Sequence, residues 1–504
     1  MTITSTSSDS TNHSTVHSSI HSTTTISREQ WGSRFGYLMA IIGAMVGAGN
    51  IWRMPYVTGE NGGGAFLIAY FVLLYLIAVP GLMGETALGR YTRQGLIGTF
   101  RKVYGNNRMV GLGLVILVFN IVLMSYYSSV VGWSIYYAYH ALIGTFTQTG
   151  FDTAALWQSF SHNKALNVGM HTIAMLMVTG ILLLGIKGGI ERMAKWMMPI
   201  LTIALIAIAI RGLTLPGAMA GLEFSFSPNW EYLARGQTWL AALGQALFST
   251  GLGWGIALTY GSYLGRNDDI PLGGGIFTAV GNTSFGLLAV FAVFPIVFAF
   301  GISPTSGPEL AFVALASAFG SMTGGYVWAL LFFAGFFFAN LTTALAITEV
   351  GVTTCKEERN IPRSRAVLMI CVLIWLLGIP SAINADILGY LDFVLGNWGL
   401  PLATFIIMIT IGWKFDANRL RILSLNRGSD LYIPSAWEAT VRYQIPLIML
   451  GIMAYFLFSN LGEAPLKTLS GLLVLMLMIP LCMGVMKRRL EGQDSQHVAG
   501  GGVS

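Results

Sequence analysis

Apolar runs of about twenty residues, each closed by a charge or by a Gly/Pro break, recur along nearly the whole chain. A run of roughly 17–25 apolar residues matches the hydrocarbon thickness of a bilayer. Read this way, the sequence predicts helices near 34–57, 65–92, 109–140, 170–187, 195–212 and 239–265. Six more fall near 273–300, 325–355, 366–381, 387–413, 441–460 and 467–487. A short amphipathic segment, PELAFVALASAF (308–319), sits between the seventh and the eighth.

Two of these runs are interrupted by glycine, the first at GAMVGAGN (43–50) and the sixth at STGLGWG (249–255). A backbone group left unpaired in hydrocarbon costs several kcal/mol, so irregular chain survives at that depth only where it lines a polar cavity. Glycine also serves close helix packing, and for one break alone that reading is as good. The two breaks open successive five-helix groups that cross in opposite directions. Interruptions at matched positions of two halves point to a transport site. Asn50, Arg53, Glu85, Gln245, Asn282, Asn340, Thr342, Thr343 and Asp392 fall within or at the ends of predicted spans. Polar groups there are costly and mark function by default.

Composition agrees: 54% of residues are hydrophobic and only 10% charged, against about a quarter charged in soluble domains. The net charge of +6 does not signal nucleic acid, because its distribution is topological. With the N-terminus inside, only Arg53, Lys164, Arg211, Arg235 and Lys467 of the 28 Lys and Arg fall outside, as the positive-inside rule requires. Both termini are then expected in the cytoplasm, with the protein in the plasma (inner) membrane. The Ser/Thr-rich start (1–27) and the polar end (489–504) read as disordered tails. Cys355, Cys371 and Cys482 have no metal or disulfide spacing.

REQWGSRFGYLMAIIGAMVGAGNIWRMPYVTGENGGGAFLIAY (28–70) resembles the opening of the neurotransmitter:sodium symporter family. GETALGRY (84–91), GQALFSTGLGWGIALTYGSY (244–263), GNTSFG (281–286) and FANLTTALAITEV (338–350) follow in family order. The resemblance covers roughly residues 28–485. It implies an all-α, twelve-helix, five-plus-five inverted-repeat (LeuT-type) fold with discontinuous helices 1 and 6. The repeats would span 28–213 and 214–413, with helices 11 and 12 in 414–488. It further implies sodium-driven import by alternating access, and no enzymatic activity.

Carried over residue by residue, one sodium site would use the carbonyl of Met45 with Asn50, Ser249 and Asn282. A second would use the carbonyls of Gly43, Val46 and Ala339 with the hydroxyls of Thr342 and Thr343. All are neutral oxygens, suited to a hard cation that must leave again. The substrate pocket would involve Met45, Gly47, Ala48, Gly49, Leu123 and Met124, with Ser125 and Tyr127. From the second repeat come Phe248, Ser249, Gly251, Trp254, Ile347 and Thr348. The outer gate would be Tyr127 with Phe248 under an Arg53–Asp392 ion pair. The inner gate would be Arg28 with Glu357, supported by Trp31, Ser262 and Tyr263. The chain is expected to unwind at 46–49.

Gly47 stands where the family's monoamine carriers have aspartate, which favours an amino-acid substrate whose carboxylate completes the first sodium site. Met45 and Trp254 crowd the pocket and favour glycine or alanine. A methylated amino acid (betaine, sarcosine) and a larger hydrophobic one stay open, as does, from another class, a non-transporting sensor. Tyr70, Gln245, Ser249 and Asn282 match the chloride cluster of animal members, with Gly286 replacing their serine. Expected partners are therefore two sodium ions, a small amino acid and membrane lipid, without nucleic acid. Chloride binding and a homodimer are left open.

Overall fold

The computed structural model describes residues 29–105, 108–265, 267–303 and 310–500. Arg28 and the tail 1–27 lie outside them. Ten long apolar helices cross: α2 Gly64–Thr92, α3 Arg108–Leu142, α4 Lys164–Leu183, α5 Ile186–Leu213 and α7 Ile270–Ala299. The other five are α8 Gly325–Arg359, α9 Arg363–Ile383, α10 Ala385–Leu425, α11 Ala436–Gly462 and α12 Pro465–Leu490. Two further segments are broken. The halves of the first, α1a (Arg34–Met45) and α1b (Gly49–Glu60), meet at 53°. The sixth is α6a (Gly236–Thr250) followed by α6b (Ile256–Gly261). The twelve expected segments are therefore all present among the described residues.

Helix α8 packs along α3, α5 and α1a, and α9 packs on α4 and α3. Against this frame stand α1, α2, α6 and α7, with α6b on α2 and α7 on α5. The breaks in α1 and α6 lie between these groups, facing α3 and α8. The starts of the helices follow local chemistry. Ser33 Oγ accepts the Gly36 N–H at 3.0 Å to cap α1a, and Asn163 caps α4 through the Leu166 N–H.

Several expectations shift. The boundary between α4 and α5 lies at Gly185, whose φ of +81° suits glycine, so α5 starts nine residues before the expected 195. Residues 46–49 do not all unwind. Only Val46 and Gly47 leave the helix, and Gly49–Arg53 resumes as a wide π-type turn. The last helix runs on to Gly500 rather than ending near 487, since 489–499 holds neither Pro nor Gly-Gly to stop it. Short helices that were not anticipated occupy the loops, at Leu96–Tyr104, Thr153–His162 and Ala218–Phe226.

Candidate functional site

The break in α6 is a run of alternating left-handed glycines, Gly251, Gly253 and Gly255, with φ of +64°, +92° and +73°. Its freed backbone groups find partners on three other helices. Glu85 of α2 accepts the Gly253 N–H at 2.6 Å. Asn120 of α3 donates to the Trp254 carbonyl at 3.2 Å, and Thr404 of α10 donates to the Leu252 carbonyl at 3.3 Å. Gly253 cannot be replaced here: a Cβ would stand 2.9 Å from the Thr404 amide nitrogen. The buried Glu85 is thereby a structural acceptor for unwound chain, a role its position alone did not reveal.

The break in α1 faces α8. Thr343 Oγ1 donates to the Gly43 carbonyl at 3.3 Å, and Thr342 Oγ1 donates to the Ala339 carbonyl at 2.9 Å. Four of the five oxygens expected around one cation thus pair with one another, one pair between α8 and α1a and the other within α8, beside the unwound Val46. A second cluster forms on the other side of α1. Asn50 Nδ2 donates to both the carbonyl and the Oδ1 of Asn282, each at 2.8 Å. Asn282 Nδ2 reaches Ser249 Oγ at 3.1 Å and Tyr70 Oη at 3.2 Å. Among the described residues the buried Asn50 Oδ1 has no hydrogen-bond partner. A buried acceptor in that state is costly unless something electropositive meets it.

Between the clusters lies a cavity of ≈ 30 Å³. Of the expected residues, Met45, Gly47, Ala48, Gly49, Leu123, Tyr127, Phe248, Gly251, Trp254 and Ile347 line it; Ala44, Ile256 and Thr343 join them. Met124, Ser125, Ser249 and Thr348 do not line it. Met124 is one residue round α3 from Leu123 and is fully buried, because successive side chains on a helix point about 100° apart. The Ser125 and Thr348 hydroxyls bond back to Val122 and Ala344 of their own helices. Ser249 turns to Tyr70 and Asn282 instead.

Above this cavity opens a vestibule of ≈ 850 Å³. Ala48, Tyr127 and Phe248 line both spaces, so they are the partition between them. Arg53 and Asp392 line the vestibule without forming an ion pair. Arg53 Nη1 donates to Gln245 Oε1 at 2.7 Å and its guanidinium lies 5.5 Å from the Phe248 ring centre. Asp392 accepts the Tyr126 hydroxyl at 3.1 Å. Each member of the expected pair is instead held by a neighbour at the edge of the open vestibule. Gln245, expected near chloride, also donates to the Gly49 carbonyl at 2.6 Å. It therefore ties Arg53 to the α1 break.

The opposite side is shut. Trp31 donates its indole N–H to the Tyr260 carbonyl at 3.1 Å and meets Tyr37, Tyr260 and Tyr263 at ring distances of 5.0–6.0 Å. Glu357 accepts the Gly95 N–H at 2.6 Å; its expected partner Arg28 is outside the described residues. Sequence reasoning missed the rest of this seal. Glu191 accepts the Gly32 N–H and the Ser33 hydroxyl at 2.6 and 3.0 Å. Glu29 pairs with Lys356 and Arg363 at 3.0 and 3.2 Å. Arg363 grips the wholly buried Glu349 with both nitrogens, at 2.8 and 2.7 Å. A carboxylate in a predicted span was the available signal, but its partners stand on other helices.

Among the described residues no three His, Cys, Asp or Glu side chains converge on a metal position. The sequence signature described as the Sodium:neurotransmitter symporter family matches residues 28–153 and 151–466. The chain belongs to that family. An uncharacterised sodium-dependent transporter of Haemophilus influenzae is 32% identical over 454 residues, covering 86% of this chain and 98% of the relative. The sodium-dependent serotonin transporter of Drosophila melanogaster is 26% identical, covering 86% and 77%. The crystal structure of MhsT in complex with L-phenylalanine matches with a TM-score of 0.78 at 34% identity, over 85% of this chain and 99% of that one. As a member of the symporter family the chain is a sodium-dependent transporter of a small molecule, with the inverted five-plus-five helical fold, and not an enzyme.

Proposed function

We propose that this sodium-dependent symporter imports a small neutral amino acid with two sodium ions. The observation that carries the reading is Gly47. A Cβ there would stand 2.5 Å from Thr343 Oγ1 and 2.8 Å from Tyr127 Oη. No side-chain carboxylate fits, so the carboxylate next to the first cation comes from the substrate. Ala48 and Gly49 at the start of α1b border the cavity, and the positive end of the helix dipole there favours an anion. Met45 and Asn282 carbonyl-type oxygens with Asn50 Oδ1 and the Ser249 hydroxyl would hold one sodium. Gly43, Val46, Ala339, Thr342 and Thr343 would hold the other. With the outer side open, substrate and sodium enter through the vestibule. Phe248 and Tyr127 then close over them and Arg53 leaves Gln245 for Asp392. Opening of the seal around Trp31 and Glu357 releases the cargo. We place both termini in the cytoplasm and the repeats at 28–213 and 214–413.

A larger apolar substrate is the second reading, favoured by the L-phenylalanine bound to MhsT. The ≈ 30 Å³ cavity favours the small one. Uptake of labelled glycine into proteoliposomes, with sodium or potassium outside, separates them. Competition best by alanine supports the small substrate. Competition by leucine or phenylalanine supports the second reading, by betaine a methylated one. Sodium-dependent binding without uptake would make the protein a sensor.

Two sodium ions and one carboxylate leave a net positive charge in low dielectric, where an unbalanced charge is costly. Chloride beside Tyr70, Ser249 and Asn282 would balance it. Asn282→Asp supplies the charge instead, and the Tyr70 and Ser249 hydroxyls can rotate to donate to it. Chloride dependence of uptake is expected to fall by about tenfold or more, the effect of ~1.4 kcal/mol. An active variant with unchanged chloride dependence would refute this account of charge balance.

A further inference from the structure

Tyr127 divides its hydroxyl between two helices that the transport cycle must coordinate. Its Oη accepts the Ala48 N–H at 3.4 Å, at the start of α1b. Its one proton goes to Asn340 Oδ1 at 2.8 Å, on α8. Asn340 is wholly buried, and its Nδ2 is committed to the Phe336 carbonyl at 2.9 Å. Tying down the amide nitrogen fixes which end of the side chain faces Tyr127. Asn340 directly follows Ala339 and precedes Thr342 and Thr343, the three α8 residues of the proposed second sodium site. It touches neither the substrate cavity nor that site's oxygens, since it lines no part of the cavity and makes its bonds elsewhere.

We propose that Asn340 is a positioning residue that couples sodium at the second site to the substrate gate through the Tyr127 hydroxyl. The inference rests on the sodium–amino acid reading above. A cation held by Ala339, Thr342 and Thr343 fixes the turn of α8 that carries Asn340. That turn then sets the height and rotation of the Tyr127 ring, which is both a wall of the cavity and part of its partition from the vestibule. Without the cation, the same turn is free to shift and the ring is less well placed. Binding of sodium and of substrate therefore favour each other by the same factor. The link is separate from direct contact of a substrate carboxylate with the first sodium, because it runs through a side chain on the opposite face of the cavity.

The test is the ratio of substrate Kd at low and at saturating sodium, measured by equilibrium binding to purified protein with a labelled amino acid found to bind. The variants are Asn340→Ala, Tyr127→Phe and both together. Asn340→Ala is expected to reduce that ratio roughly 3–10-fold, the worth of one buried hydrogen bond. Tyr127→Phe should lower it similarly, and the double variant no further than either single one. A role in packing alone would weaken binding at every sodium concentration and leave the ratio unchanged. An unchanged ratio, or additive losses in the double variant, would overturn the proposal. If Asn340→Ala does not fold, an unchanged ratio in Tyr127→Phe overturns it equally. Absence of sodium-dependent amino-acid binding by the unaltered protein would instead refute the proposed function.

Discussion

Replacement of Gly47 by alanine is expected to abolish sodium-driven uptake, with at least a ~100-fold loss. The added methyl must displace Thr343 Oγ1 at 2.5 Å, Tyr127 Oη at 2.8 Å and Thr343 Cβ at 3.1 Å. None of these can yield independently. Thr343 is bonded to the Gly43 carbonyl, and Tyr127 is held by Asn340 and Ala48. Overpacking typically costs about 1–3 kcal/mol, and here the strain falls on a cation ligand and a cavity wall together. Sodium-dependent thermal stabilisation should be lost along with uptake while the protein still folds. Gly286→Ala is the control, because a Cβ there meets nothing closer than 3.7 Å. Full activity in Gly47→Ala would remove the main support for the substrate reading.

The second large effect is expected on the closed side. Arg363→Ala strips the wholly buried Glu349 of its bidentate partner. Only the hydroxyls of Tyr263 and Thr353 then remain on that carboxylate. Removing one member of a buried pair typically costs about 3–5 kcal/mol, because the other charge is left uncompensated. Glu29 loses a partner as well and keeps Lys356. The Arg363–Glu29 pair ties the segment before α1a to α9, and the Arg363–Glu349 fork ties α9 to α8 beneath it, so part of the cost is expected to fall on the state in which this side is shut. A penalty near 3 kcal/mol moves the balance of shut and open forms by roughly 100-fold. A cysteine at Ser262, in a background without Cys355, should then react faster with an impermeant thiol reagent applied to this face. Arg363→Lys keeps the charge and loses the fork, so an intermediate rate is expected. Equal reactivity in all three forms would show that the pair does not control closure.

The sequence resolved the elements that announce themselves locally. Twelve apolar runs were legible because a membrane helix needs only its own composition. The breaks in α1 and α6 were legible because glycine at that depth has few uses. Gly47, Asn50, Asn282, Thr342 and Thr343 come from the family resemblance, through the motifs at 28–70, 281–286 and 338–350. What stayed hidden depends on side chains meeting across the bundle. Glu85 serves a backbone amide 168 positions away, and Glu29 meets Arg363 from 334 positions away. Arg53, expected on Asp392, sits on Gln245 from another helix. Met124, Ser125, Ser249 and Thr348 come to the pocket through the family resemblance and do not line the cavity; rotation about each helix decides which side chain faces it.

The partition made by Ala48, Tyr127 and Phe248 is only one side chain thick, and this sets an order of events in time. Phe248 is half-buried and borders the open vestibule. Ring and rotamer changes at accessible positions take picoseconds to nanoseconds, whereas helix rearrangements take microseconds to milliseconds. If Phe248 alone moves, a ligand in the cavity is expected to exchange with the vestibule many times before the far side unlocks. Loading is then a pre-equilibrium, and the half-saturating concentration for uptake approximates a true dissociation constant.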